Sequence, residues 1–163
     1  MPAATASCTA SKSRDSTGNV TTYEPELVND GDGATAWRCD SDGLGERLVL
    51  QFPEAVRLTS VGLIPGIVKV DPGDGTDRFV QNNKIARVRW TFDGGGDGDQ
   101  VEQDFEATPA LQRTSVDVTT RTVTIEILRV VPGTEVENDD GVAQPATGKS
   151  PIAEVELRGE AAR

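Results

Sequence analysis

Between residues 120 and 130 the chain alternates strictly: Val123, Ile125 and Ile127 fall on one side, Thr122, Thr124 and Glu126 on the other. A period of two hides one face only if the backbone is extended, because successive side chains of a strand point to opposite faces. The pattern recurs along the chain. Residues 47–52 put Leu48, Leu50 and Phe52 on one face, and Pro53 is expected to stop that strand; residues 56–64 form a second strand ended by Pro65 and Gly66. Residues 85–92 are expected to turn Ala86, Val88, Trp90 and Phe92 inward and Arg87, Arg89 and Thr91 outward. A Gly-rich hairpin turn over 93–98 returns the chain along 101–105, and a last strand over 152–157 closes at Gly159. Helical periodicity allows one turn at most, over 23–28, and residues 132–150 read as a long polar loop. Short strands separated by glycine and proline, with no long helix, predict an all-β sandwich or jelly roll.

Composition narrows the chemistry. The 163 residues suffice for one domain, large enough to bury roughly 70% of its unfolded surface. With 27 acidic against 16 basic residues the net charge is −11, a potential that repels phosphate backbones, so no nucleic-acid partner is expected. The chain has no histidine, which excludes Ser-His-Asp and Cys-His catalysis and His-ligated zinc. No motif gathers carboxylates, Lys, Tyr or Cys into a catalytic set, and the chain is not expected to be an enzyme. The longest nearly apolar run, 61–70, is broken by Pro65, two glycines and Lys69, and falls far short of the ~20 residues of a membrane helix. Residues 1–6 read as a linker and 160–163 as a C-terminal tail. Two cysteines, Cys8 and Cys39, fit either one disulfide or two buried thiols.

One turn stands out from the strands. Residues 29–37, Asn-Asp-Gly-Asp-Gly-Ala-Thr-Ala-Trp, follow the apolar pair Leu27–Val28. Such a turn bends carbonyls, the Asp30 carboxylate and the Thr35 hydroxyl toward one point, and hard cations such as Ca²⁺ are held by those oxygen types. The competing reading is that Asp30 only caps the turn through an Asx-type hydrogen bond and Glu154 is solvated. An EF-hand does not fit: with Asp30 as first ligand, the fifth position is Ala34 and the twelfth Ser41. Trp37 and Trp90 sit at strand-like or turn-closing positions and are expected in the core rather than as sugar platforms.

Taken in order, these segments resemble a discoidin domain, the coagulation-factor C-type module with a galactose-binding-like fold. The resemblance runs over residues 7–159. It rests on the opening Cys8-Thr-Ala-Ser11, the turn Asp30-Gly-Asp-Gly-Ala-Thr-Ala-Trp37, the strands at 48–52 and 61–63, the strand and hairpin at 87–94, and the closing Ala153-Glu-Val-Glu-Leu-Arg-Gly159. Val61-Gly-Leu-Ile-Pro-Gly66, Lys69-Val-Asp-Pro72 and Asp77-Arg-Phe-Val-Gln-Asn82 are similar to an actinobacterial subgroup. That subgroup is related to the NAD glycohydrolase translocation domain, a glycan-binding module.

The resemblance implies a jelly-roll sandwich of about eight antiparallel strands and a non-catalytic recognition module. It implies a structural Ca²⁺ beside the turn, held by the Leu27 carbonyl, Asp30, Thr35, Glu154 and a carbonyl near Ala153. It favours a Cys8–Cys39 disulfide, which would close a loop of about 32 residues and contribute ~3–4 kcal/mol. Ligands are expected at loops of one barrel end, 11–25, 38–46 and 66–83, through Tyr23, Arg38, Lys69, Asp71, Asp77, Arg78, Phe79, Gln81 and Asn82. Forked amides, carboxylates and guanidinium groups suit vicinal hydroxyls; the same groups also suit holding a long loop together. The implied partner is a glycan or a cell-surface protein. Membrane insertion is not expected, because the first loop carries Asp15-Ser-Thr-Gly-Asn-Val-Thr where lipid-binding relatives carry bulky apolar residues. The domain is expected to be a monomer in isolation and an extracellular or cell-surface part of a larger protein.

Overall fold

A computed structural model describes residues 2–93 and 99–161. In chain order the strands are β1 (Ala3–Ala6), β2 (Ser13–Arg14), β3 (Val20–Thr21), β4 (Arg47–Leu63), β5 (Lys84–Phe92), β6 (Gln100–Asp104), β7 (Gln112–Val131), β8 (Val136–Glu137), β9 (Ala143–Gln144) and β10 (Val155–Ala161). A 3₁₀ turn covers Pro25–Asn29, and one helical turn, α1, covers Arg78–Gln81. The architecture is an all-β, jelly-roll-like sandwich with antiparallel pairing throughout.

The long strands β4 and β7 organise it. They pair from Arg47↔Glu126 to Leu63↔Gln112. On the other edge of β4, β1 pairs with residues 48–51 and β10 with residues 56–63, while β7 continues to β5 and then β6. Leu48 and Leu50 from the first half of β4 and Leu58, Val61 and Leu63 from the second enter the same core, with Ile85, Val88, Val123, Ile125 and Ile127. Register shifts between Gln51 and Val56 and between Leu58 and Ser60 interrupt the ladder along β4. Trp37 and Trp90 are fully buried, and each indole N–H is satisfied, by the Cys8 carbonyl (2.9 Å) and by Gln103 Oε1 (3.0 Å).

Several segments differ from the sequence expectation, each for a physical reason. Pro53 does not stop the strand. Pairing passes from Gln51↔Thr122 to Val56↔Thr120, so β4 carries three more residues than its partner over that step. Proline, lacking an N–H, is tolerated in such a bulge, and its carbonyl accepts from Arg121 (2.8 Å). In β5 register shifts on either side of Arg87 put Ile85, not Ala86, in the core beside Val88. Residues 3–6 are not a linker: β1 pairs with β4 and buries Ala4. Nor is 160–163 wholly a tail, since β10 runs to Ala161. The loop at 132–150 contains the β8–β9 hairpin. The hairpin turn expected over 93–98 lies, beyond Asp93, outside the described residues. Strand β7 starts at Gln112, well before the alternation that announced it.

Cys8 and Cys39 form a disulfide with Cα atoms 5.5 Å apart. It ties the segment after β1 to the segment after the acidic turn. Among the described residues no helix is long and apolar enough to cross a membrane.

Candidate functional site

Two polar centres lie at the loops. The first is the acidic turn. Gly31 takes a left-handed φ of +74°, which permits the tight reversal. Asp30 Oδ1 accepts the Asp32 N–H (2.9 Å), and Asp30 Oδ2 accepts the Thr35 hydroxyl. Glu154, brought in just before β10, accepts the same Asp32 N–H at 3.0 Å. Asp30 and Glu154 therefore converge on one peptide. Burial, a hydrogen bond to Asp30 and repulsion from its charge push Glu154 up to about 8. Burial also works to raise Asp30, but hydrogen bonds from Glu154, Thr35 and the Asp32 N–H outweigh it and hold that carboxyl low. The pair thus shares one proton near neutrality. Two crowded carboxylates and a hydroxyl are hard oxygen donors of the kind Ca²⁺ takes. By contrast, the one group of three candidate metal-binding side chains found among the described residues, Cys8, Cys39 and Glu46, has both sulfurs committed to the disulfide.

The turn also shapes its neighbour. The Gly33 carbonyl accepts the Val68 N–H (2.7 Å), and the Gly66 carbonyl accepts the Ala153 N–H (3.1 Å). These bonds fix the start of the loop 66–83. Gly66 is required there, because a Cβ would lie 2.6 Å from the Phe79 ring.

The second centre is a cleft of about 190 Å³ at the same barrel end. Ser13, Arg14, Asp15, Thr21 and Tyr23 come from the first loop, Arg38 from the second, and Ile67, Lys69, Arg78, Gln81 and Asn82 from the third. Thr147 and Pro151 complete it from the segment before β10. The Arg38 guanidinium lies 3.9 Å over the Tyr23 ring, and the Tyr23 hydroxyl pairs with Ser13 Oγ (2.7 Å). Asn82 Oδ1 accepts from Arg38 (3.2 Å) and Thr147 (2.6 Å), while its amide donates to the Arg78 carbonyl (2.7 Å). Arg38 Nε is buried without a hydrogen-bond partner, and burial lowers the pKa of this guanidinium.

Six of the nine residues expected to bind ligand line this cleft: Tyr23, Arg38, Lys69, Arg78, Gln81 and Asn82. The other three stand behind it. Asp71 has no exposed side-chain surface and holds Arg78 in an ion pair at 2.6 Å, while also accepting from Ser16 and Gly73. Burial works against its ionisation, yet these donors keep the carboxyl far below the usual range. Asp77 caps α1 by accepting the N–H groups of Phe79 (3.0 Å) and Val80 (3.3 Å). Phe79 packs under Gly66 with the Lys84 ammonium 5.5 Å from its ring centre. Asp71, Asp77 and Phe79 thus support the loop and do not line the cleft.

Sequence reasoning did not single out Ser13, Arg14, Asp15, Thr21, Ile67, Thr147 or Pro151, nor the supporting Lys84. That lysine is buried and its Nζ donates to the carbonyls of Phe79, Val80 and Asn82 at 3.1–3.2 Å. A lysine opening a strand straight after a capped helical turn was the available signal, since those last carbonyls need donors. Thr147 had none; it lies in a polar segment without periodicity.

A β-sandwich with a loop-built cleft at one end defines a domain of the discoidin type. The chain belongs to the NAD glycohydrolase translocation F5/8 type C domain family, whose model matches residues 2–144. Solved structures share the fold. The family 32 carbohydrate-binding module of C. perfringens NanJ, in complex with galactose, superposes with a TM-score of 0.60 at 16% identity, covering 95% of this chain and 91% of that one. A second Clostridium perfringens module, in complex with GalNAc-β-1,3-galactose, gives 0.60 at 15% identity over 95% and 93% of the two chains. A pectin-binding carbohydrate-binding module gives 0.53 at 17% identity over 98% and 91%. No curated protein sequence matches the chain.

Proposed function

We propose that this domain is a non-catalytic carbohydrate-recognition module that binds sugar in the cleft between Tyr23, Arg38, Lys69 and Asn82, with Ca²⁺ bracing the turn at Asp30. The observation that carries this reading is the convergence of three loops and the 147–151 segment on one polar cleft, in a fold whose solved relatives include modules in complex with sugars. The volume is below the roughly 300–1,000 Å³ of drug-sized ligand sites and suits one sugar unit, with further units crossing the rim. Asp15 is the sole carboxylate in the lining, whereas glycoside hydrolysis uses two carboxylates flanking the bond. That supports binding rather than cleavage. The ligands of the Ca²⁺ are proposed as the Leu27 and Ala153 carbonyls, Asp30, Thr35 and Glu154; bound there, the cation would supply the charge that lets both carboxylates ionise. The disulfide supports an extracellular or cell-surface location, since such bonds persist in oxidising compartments.

The test is a glycan array read with the native, Ca²⁺-loaded domain and with Asn82→Ala. Binding of a defined sugar set by the native protein, lost in the variant, supports the reading. A blank array with a folded protein contradicts it. Val68 and Val70, 42% and 61% exposed beside the cleft, favour a second reading: a cell-surface protein docked over the same loops. Capture of one surface protein that free sugars do not displace would establish it.

A further inference from the structure

The charge of the cleft opposes that of the molecule. The chain carries −11 overall, yet the cleft is lined by Arg14, Arg38, Lys69 and Arg78 against the single carboxylate of Asp15. That carboxylate is turned back into its own loop: Oδ1 accepts the N–H groups of Thr17 (3.0 Å) and Asn19 (2.9 Å) and the Thr17 hydroxyl (2.7 Å). Asp71 compensates Arg78 from behind the wall. Asp40, whose charge also reaches Arg38, is held by Ser11 and lies 3.9 Å from Lys149. Arg14 donates only to the Gly18 carbonyl (2.9 Å), and Arg14, Arg38 and Lys69 form no ion pair among the described residues. Three cations therefore line the cleft with no ion-pair partner among the described residues.

Arg38 is the most specific of them. Its plane is set by the Tyr23 ring and its Nη1 is bonded to Asn82, while Nε, on the guanidinium edge away from Nη1, is buried and lacks a partner. A guanidinium held flat over an aromatic ring, with Nη1 bonded to Asn82, keeps its other terminal nitrogen for an anionic oxygen, and such charge-assisted pairs are roughly twice as strong as neutral hydrogen bonds.

We infer that the cleft selects a sugar bearing a carboxylate, a uronic acid unit of an acidic polysaccharide, with Arg38 facing the carboxylate and Arg14 and Lys69 supplying rim charge. The inference rests on the reading of the cleft as a glycan site. It predicts binding that weakens as salt screens the rim charges.

Calorimetric titration of the intact chain tests it, using oligogalacturonate, oligomannuronate and oligoglucuronate, each against its methyl ester, and a sulfated galactan oligosaccharide of equal length. The expected result is that at least one uronate binds about tenfold or more tighter than its ester. The double variant Arg14→Ala/Lys69→Ala, with unchanged melting temperature, should narrow the gap between acid and ester, and a folded Arg38→Ala variant should close it. Equal binding of acid and ester overturns the inference and leaves the sugar-binding reading intact. Tighter binding of the sulfated galactan than of every uronate overturns the carboxylate assignment. No binding of any of these sugars, or of neutral ones, by folded protein overturns both.

Discussion

The acidic turn and the cleft are built from opposite charges and resolve them in opposite directions. At the turn, Asp30 and Glu154 converge on the Asp32 N–H and the strain of two like charges is answered inward, by a shared proton or a cation. At the cleft, Arg14, Arg38 and Lys69 form no ion pair among the described residues. The two are mechanically joined, because Gly33 of the turn holds Val68, and Ala153 holds Gly66, at the start of the loop that delivers Lys69 and Arg78. On the proposed function, the first centre braces the domain and the second receives the ligand.

Breaking the covalent tie should blur this division most. Cys39 neighbours Arg38, and the Cys8 carbonyl receives the Trp37 indole N–H. Cys8→Ala/Cys39→Ala is expected to lose about 3–4 kcal/mol in chemical denaturation and to weaken sugar binding, by freeing Arg38. An unchanged unfolding midpoint would show that the sheet alone positions the second loop.

Next in size is the buried support of the cleft. Asp71→Asn removes the counter-charge of Arg78 and is expected to cost about 3 kcal/mol. The carboxyl is held low in the folded state, so its contribution is complete above the ordinary carboxylate range and is lost as pH falls from about 4 downward. The native domain should lose stability over that acid range more steeply than Asp71→Asn, measured by melting temperature against pH.

At the turn the sign reverses. Glu154 is raised to about 8 from an ordinary value near 4.5. In metal-free protein the turn is therefore least perturbed below that ordinary value and destabilised as pH rises toward 8. On the proposed function Ca²⁺ replaces the proton, so the stabilisation it gives should grow between pH 5 and 8, approaching about 2.7 kcal/mol at a hundredfold excess over Kd. Glu154→Gln should abolish that gain while folding normally. A melt indifferent to both chelator and Ca²⁺ would remove the cation from the account.

The smallest effect separates support from contact. Asp77→Ala loses the cap of α1 and should cost about 1 kcal/mol, with sugar affinity falling no more than that loosening requires. A loss as large as that of Arg38→Ala would return Asp77 to the ligand-binding set.

The contrast also explains what was legible in the sequence. Alternation exposed the long core strands because one buried face leaves a period of two, and the Asp-Gly-Asp-Gly turn announced itself because left-handed φ at Gly31 demands glycine. Pro53 misled because a bulge, invisible without its partner strand, made its missing N–H harmless. Residues 3–6 misled because Ala-Ala-Thr-Ala has no alternation to show, although Ala4 is buried. In the cleft, Tyr23, Arg38 and Asn82 could be named as residue types suited to sugars. Which side of the wall Asp71, Asp77 and Phe79 face depends on the course of the loop, and composition does not encode it. Arg14 was unremarkable in a polar loop until folding set it beside Lys69.

The most direct measurement is an amide chemical-shift map of the domain titrated with the tightest-binding sugar. The account predicts perturbations confined to residues 13–23, 38, 67–82 and 147–151, with β5 and β6 unmoved. Perturbations centred on the β4–β10 face, with those loops silent, would contradict it.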